Sequence, residues 1–355
     1  MPDDRWLTPS FVDKPRSDCA RPRDCQRIHL AESIDKVSAA RIENIRSLLV
    51  NYISPAGPNA ISSTARYMAL FRALETARRS DRLFEDRFAI RFLPIAWRAI
   101  LNIARIFAAT HLIERAIDKR GTGAWSSGVA RTRLIDDWIG DATAAGARQV
   151  VLLGAGFDCR ALRLPRLAKI PTFELDRLQL LEEKGKRLGG SVVATHPHLH
   201  YIPTNFLRDD VGARLSANGF VLNTRTLVLW EGVTNYLNAD AVANVFDLVA
   251  KICAPGSRII FTYVHAGVLD GSFEAPGLDA LFTRLAASNE SWTFGFRPDE
   301  LGEYLRRHRL HLIDDLGAAE YRVKVMGARA RGLVGYEFYH VAVAAVGDTE
   351  GPTCA

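Results

Sequence analysis

The spacing of apolar residues changes near residue 149. Upstream they recur every three or four positions: Ile34, Val37, Ile42, Ile45, Leu48 and Leu49 predict a helix over 31–52. SPAGPNA at 54–60 ends it, because Pro and Gly do not continue a helix cheaply. Ser62, Ser63 and Thr64 offer N-caps to a second helix with an apolar face of Tyr67, Leu70, Phe71 and Leu74. Residues 83–118, rich in Phe, Ile and Leu and holding Trp97, read as further helix. The polar, proline-bearing stretch 1–30 has no period and predicts a flexible arm. Downstream come short segments that read as strands, the first of them, QVVLL, a continuous apolar run: 149–153, 171–176, 200–204, 226–232, 258–264, 311–316 and 335–346. Helical stretches at about 177–188, 238–253 and 298–308 lie between some of them. This alternation predicts an α/β domain with a doubly wound, mostly parallel seven-stranded sheet, its inner strands buried on both faces. The chain divides into an arm and helix (1–60), a helical cap or lid (61–140), the α/β domain (141–346) and a tail (347–355).

In such a sheet ligands bind beyond the carboxyl ends of the strands. The first run exits into Gly154-Ala155-Gly156-Phe157-Asp158, where two glycines permit a tight turn and a close backbone approach. A dinucleotide fingerprint asks for a third glycine where this chain has Cys159. Asp176 ends the second run, 20 residues beyond Gly156, at the spacing of a ribose-binding acid. Glu174 shares its side of the strand and competes for that role, and Asp176 could equally cap the following helix. Asn205 and Phe206 follow the third run, suited to reading and covering an adenine or to forming a turn beside the core. The fourth run exits into Glu231-Gly232-Val233-Thr234-Asn235-Tyr236, and a buried Glu231 there needs a paired donor.

Composition narrows the partners. The chain has 355 residues, 48% apolar and 24% charged, which is ordinary for a globular protein. Its net charge of +6 comes from 38 Arg and 8 Lys against 40 acids. They are scattered among the acids, so they read as a solvated surface with no nucleic-acid partner. Arg98 and Arg105 interrupt the best apolar stretch, and MPDDRWLTPS lacks a basic n-region and an apolar h-region. The expectation is a cytoplasmic protein without stable membrane association, its amphipathic 94–110 segment serving as a lid. Five cysteines without a CxxC pair imply reduced thiols. His196, His198 and His200 read as surface histidines, and no metal is expected. The 265–297 segment is long for a simple connection, so His265, Trp292 and Phe294 are candidate substrate wall.

In order and spacing, STARYMALFRALETARRSDRLFEDRFA, ARTRLIDD, LLGAGFDCRALRL, FELD, TNFLRDD and EGVTNYL resemble the leucine carboxyl methyltransferase family and its bacterial relatives. The resemblance implies a Rossmann-like class I fold and S-adenosylmethionine as cofactor. It implies that Arg131 pairs with the methionine carboxylate, and that Gly154 and Gly156 pass beneath the methionine moiety. Asp176 would hold the ribose, Asn205 and Phe206 face the adenine, and Glu231 lie close to the cofactor. The chain departs from the family at Asp86-Arg87, where DP is usual, at Asn205, often Asp, and at Asn235, where Met or Val is expected. The expected activity is O-methylation of a carboxylate or hydroxyl on a small-molecule acceptor, polyketide-like metabolites included. The alternatives are methylation of a protein C-terminus, an NAD(P)-dependent oxidoreductase and a non-catalytic cofactor-binding protein. A hydroxyl acceptor would need a base, for which Tyr236, Tyr263 and His265 are the candidates. Oligomeric state is left open by the sequence.

Overall fold

The computed structural model describes residues 63–118, 121–206, 208–287 and 290–347. The arm at 1–30, the helix expected over 31–52, its breaker and most of the tail lie outside these residues. The seven strands are β1 Gln149–Leu153, β2 Thr172–Asp176, β3 Leu199–Pro203, β4 Thr226–Trp230, β5 Arg258–Val264, β6 Leu310–Gly317 and β7 Tyr339–Val346. They form one sheet in the order β3-β2-β1-β4-β5-β7-β6. β1 to β5 run parallel, and β7 is antiparallel to both β5 and β6.

The five residues of β1 are all buried, as are those of β2 and β4, as strands covered on both faces require, and the acids of β2, Glu174 and Asp176, are buried with the rest. The principal core includes Phe173, Trp230, Phe246, Phe261, Phe296 and Ala344. A second cluster, with Val264, Leu281, Leu285 and Phe338 at its centre, draws on the 265–297 insertion. The order of strands reverses at β1, whose neighbours are β2 and β4, so the crevice for a ligand opens there.

Upstream of the sheet, helix Ser63–Ala77 and the long helix Ala124–Ala144 pack together. The stretch expected to be helical over 83–118 is helical in pieces: a 3-10 turn at Ala89–Phe92 and two α-helices, Ile95–Ile106 and Thr110–Asp118. Local chemistry accounts for the break. Asp86 Oδ1 accepts from the amides of Phe88 and Ala89 at 3.1 Å, Pro94 starts the first helix, and Ala108 has φ 52°. The last strand starts at Tyr339, four residues later than the apolar pattern suggests. Gly335 and Tyr336 take φ of 107° and 61°, which no strand accommodates. Among the described residues, no helix is long and apolar enough to cross a membrane, and no group of three or more His, Cys, Asp and Glu could hold a metal.

Candidate active site

The exit from β1 is held by backbone geometry. Gly154 has φ +74°, and a Cβ there would stand 2.4 Å from Val233 Cγ2, so the chain passes directly against the turn leaving β4. Gly156 has φ +49° and donates its amide to Asp176 Oδ2 at 2.8 Å, while the amide of Arg177 donates to Oδ1 at 2.7 Å. Burial raises the Asp176 carboxyl above its usual range, against the pull of these two amides. Its competitor Glu174 is fully buried and paired with Lys184, equally buried, so it faces no ligand. The structure thus separates two acids that the sequence left equivalent.

Arg131, on helix Ala124–Ala144, donates Nε to Glu231 Oε1 at 2.8 Å, and its guanidinium lies 4.7 Å from the Tyr339 ring centroid. Arg160 Nη1 donates to the other carboxylate oxygen, Oε2, at 2.7 Å. Both oxygens of Glu231 are therefore spoken for by cations. Burial pushes its pKa up, but Arg160 and Arg131 outweigh burial and hold it below the ordinary value. The network continues outward. Arg160 Nε and both terminal nitrogens of Arg163 converge on Asp136 at 2.7–2.8 Å, and Arg160 also pairs with Asp158. Arg72 Nη2 donates to the Phe157 carbonyl at 2.5 Å and its Nε to Asp86 at 2.8 Å, pinning the glycine turn to the cap. Asp86, where the family's DP pattern is broken, organises its loop through its own carboxylate.

Sequence reasoning missed Arg160, Asp136, Asp158 and Tyr339. The first three lay inside motifs it had quoted. Arg160 and Arg163, three apart, share one helical face, and that spacing was the available signal.

Beyond β4 the Tyr236 hydroxyl lies 3.3 Å from Thr64 Oγ1, which donates to Glu290 Oε2 at 3.2 Å. Burial pushes the Tyr236 phenol up to about 12. Tyr263 is not offered to a ligand. It is fully buried, donates its hydroxyl to Asp315 Oδ2 at 2.6 Å and stacks on His340 at 4.9 Å. Burial and the Asp315 charge hold its phenol far above the usual value, and a hydroxyl committed to Asp315 does not fit the base role expected for it. His265 is half-buried, its Nδ1 accepting from the Gly267 amide at 3.0 Å, and burial together with His340 lowers its pKa. Trp292 joins Phe282 and Phe338 in the second cluster, at centroid distances of 5.7 and 5.9 Å. Phe294 packs on Phe296 at 4.8 Å against the principal core. Asn205 is exposed, its amide donating to Asp209 Oδ2 at 2.8 Å, and Phe206 is half-buried against the principal core.

The leucine carboxyl methyltransferase family model matches residues 65–250. A protein of Mycobacterium avium (strain 104), provisionally assigned as an S-adenosyl-L-methionine-dependent methyltransferase, is 33% identical over 298 residues, 79% of this chain and 87% of that one. A Frankia alni protein with the same assignment is 37% identical over 207 residues, 58% of this chain and 70% of that one. Among solved structures, a provisionally assigned methyltransferase from Thermobifida fusca aligns at TM-score 0.48 and 14% identity, over 78% of this chain and 94% of that one. Magnesium protoporphyrin IX methyltransferase from Synechocystis, with S-adenosylhomocysteine bound, aligns at TM-score 0.41 and 10% identity, over 62% and 85%.

Proposed function

The chain belongs to the leucine carboxyl methyltransferase family and is an S-adenosylmethionine-dependent methyltransferase on a class I, Rossmann-like fold; from that premise we propose that it O-methylates the carboxylate of a small, largely apolar and aromatic acceptor. The oxidoreductase and non-catalytic alternatives fall with this membership.

The residues at the strand ends fit the cofactor by chemistry. Asp176 is oriented by two amides at the lip of β2 and suits two ribose hydroxyls. A Cβ on Gly156 would come no closer than 3.8 Å to Ala65, so the turn leaves room above it. Arg131 spends Nε on Glu231 and directs Nη2 at Met68 Sδ, 3.2 Å away, leaving Nη1 for a carboxylate. We assign the methionine carboxylate to Arg131, the methionine backbone to Gly154 and Gly156, the ribose to Asp176 and the adenine to Asn205 and Phe206. Glu231 positions Arg131 and Arg160. When bound, the cofactor supplies a methyl carbon made electrophilic by its sulfonium.

The observation that carries the acceptor assignment is the second cluster. Phe273, Phe282, Trp292, Tyr336 and Phe338 gather around Val264 at the end of β5, beside the Tyr236–Thr64–Glu290 chain. Such a wall excludes water and favours aromatic faces. A carboxylate is already ionised at neutral pH and needs no base. That suits a site beside which the Tyr236 phenol is pushed up to about 12. The chain's own contribution is then alignment of nucleophile, methyl carbon and sulfur, a positioning effect worth up to ~7–11 kcal/mol.

The test is transfer of labelled methyl from S-adenosylmethionine by the full chain to benzoate, phenylacetate and their alkyl derivatives, with phenols and a peptide ending in a free leucine carboxylate beside them. Label on the aryl acids, released by mild base, is the expected result. Base-stable label on phenols, or transfer to the peptide alone, overturns the assignment.

A further inference from the structure

We infer that Asn235 is a specificity-determining residue that accepts a hydrogen bond from a hydroxyl or N–H group carried by the acceptor alongside its reacting carboxylate. This deepens the carboxylate reading above and rests on it. Asn235 lies in the short turn Thr234–Tyr236 that follows β4. The turn is pinned on every side. Thr234 Oγ1 donates to the Thr262 carbonyl at 2.6 Å, the Asn235 carbonyl accepts the Thr293 amide at 2.8 Å, and Tyr236 reaches Thr64. Just before it, Val233 fills the space a side chain on Gly154 would need. The turn therefore runs between the glycine exit assigned to the methyl donor and the insertion that walls the acceptor.

Within that turn Asn235 has only 1% exposure, and its Oδ1 accepts no hydrogen bond. Of the buried side-chain oxygens without a partner among the described residues, it alone belongs to a turn at the carboxyl end of a strand. Buried polar atoms are nearly always paired, because stripping water from a carbonyl without a replacement donor is unfavourable. An apolar side chain, the type the family pattern leads one to expect here, would fill the position without that cost. A carboxamide kept at this cost suits a ligand that brings the missing donor. An acceptor with a hydroxyl or amino substituent does so, and a purely hydrocarbon acid does not. Sites that hydrogen-bond a substrate hydroxyl reject the analogue lacking it much more strongly than apolar pockets reject a missing methylene.

The experiment uses the full chain saturated with S-adenosylhomocysteine, so that binding is read without turnover. The probes are matched pairs: para-hydroxybenzoate with para-methylbenzoate, and meta-hydroxyphenylacetate with meta-methylphenylacetate. Wild type should bind the hydroxyl members about tenfold more tightly. In Asn235→Leu that preference should shrink below about threefold, and the ligand-free variant should melt at or above wild type. Asn235→Met is measured beside it in case the branched side chain does not pack. Absence of a hydroxyl preference in wild type, its survival in both variants, or a lower melting point of both ligand-free variants overturns the inference. Labelled transfer is scored separately. Methylation at phenols would remove the carboxylate reading and this assignment with it, whereas methylation at carboxylates without an Asn235-dependent preference would overturn the assignment alone.

Discussion

Lys184 and Glu174 offer the sharpest test of how the floor beneath the cofactor turn is held. Lys184 projects from helix Leu178–Leu188 onto Glu174 of β2, and neither side chain has any exposure. Lys184 Nζ also lies 5.7 Å from the Tyr201 ring centroid. Burial alone would lower the lysine pKa, but the Glu174 charge beside it raises it, while burial pushes the Glu174 carboxyl up to about 7 against the pull of Lys184. Lys184→Met leaves a buried carboxylate without its cation, and Glu174→Leu leaves the converse. Each single change should cost about 3–5 kcal/mol. The double variant removes both charges and should fall within ~1 kcal/mol of wild type, since a packed apolar pair often replaces a buried ion pair without loss. With an unfolding entropy of ~2.1 cal/mol/K per residue, a chain of this length loses roughly 1.3 °C per kcal/mol. Differential scanning calorimetry should thus show the singles melting about 4–7 °C low and the double near wild type. The affinity for S-adenosylhomocysteine in the double should stay within about threefold of wild type, because the Gly156–Asp176 clamp is untouched. Single-variant losses that simply add in the double, within ~0.5 kcal/mol, would refute the reasoning.

Three further outcomes follow from the site. Glu231→Gln replaces an anion held between Arg131 and Arg160 with a neutral amide, so affinity for S-adenosylmethionine should fall at least ~10-fold by titration calorimetry; unchanged affinity would detach Arg131 from the cofactor. Gly154→Ala places a Cβ 2.4 Å from Val233 Cγ2 in a left-handed conformation and should cost at least ~2 kcal/mol in urea unfolding, with Val233→Ala recovering part of it. For Asp158, burial raises the pKa, but Arg160, Arg72 and Lys184 outweigh it and bring it down to about 2. A carboxyl depressed below its unfolded value stabilises the fold above that value, by about 2 kcal/mol here. This contribution is lost as pH falls from ~4 through 2, so Asp158→Asn should flatten the acid limb of the stability curve in that window.

The parts of the site that lie on strand ends were legible because parallel strands carry their ligands there, and a glycine pair or an acid at the exit is visible in one dimension. Tyr263 was legible too, by a rule left unused. Alternate positions of a strand share a face, and Ile259, Phe261 and Tyr263 all join the principal core. Its neighbour Thr262, on the opposite face, is the residue that accepts the Gly232 amide at 2.8 Å and lies 3.4 Å from the Tyr339 hydroxyl. What one dimension could not give was the pairing of charges across 100 residues of chain, as between Arg131 and Glu231. The same limit explains why the arginine excess was read as surface. Arg72, Arg131, Arg160 and Arg322 are each at most 7% exposed, and the Arg163 side chain is 3% exposed. Each is committed to a carboxylate: Asp86, Glu231, Asp136 with Asp158 and Glu231, Glu337, and Asp136. A planar guanidinium can serve several acceptors at once from one buried position, which an ammonium on a flexible stem does less well. Arg160, answering to three carboxylates, shows why arginine stands here: it ties the turn after β1, the turn after β4 and the long cap helix into one frame around the crevice at the carboxyl ends of the strands.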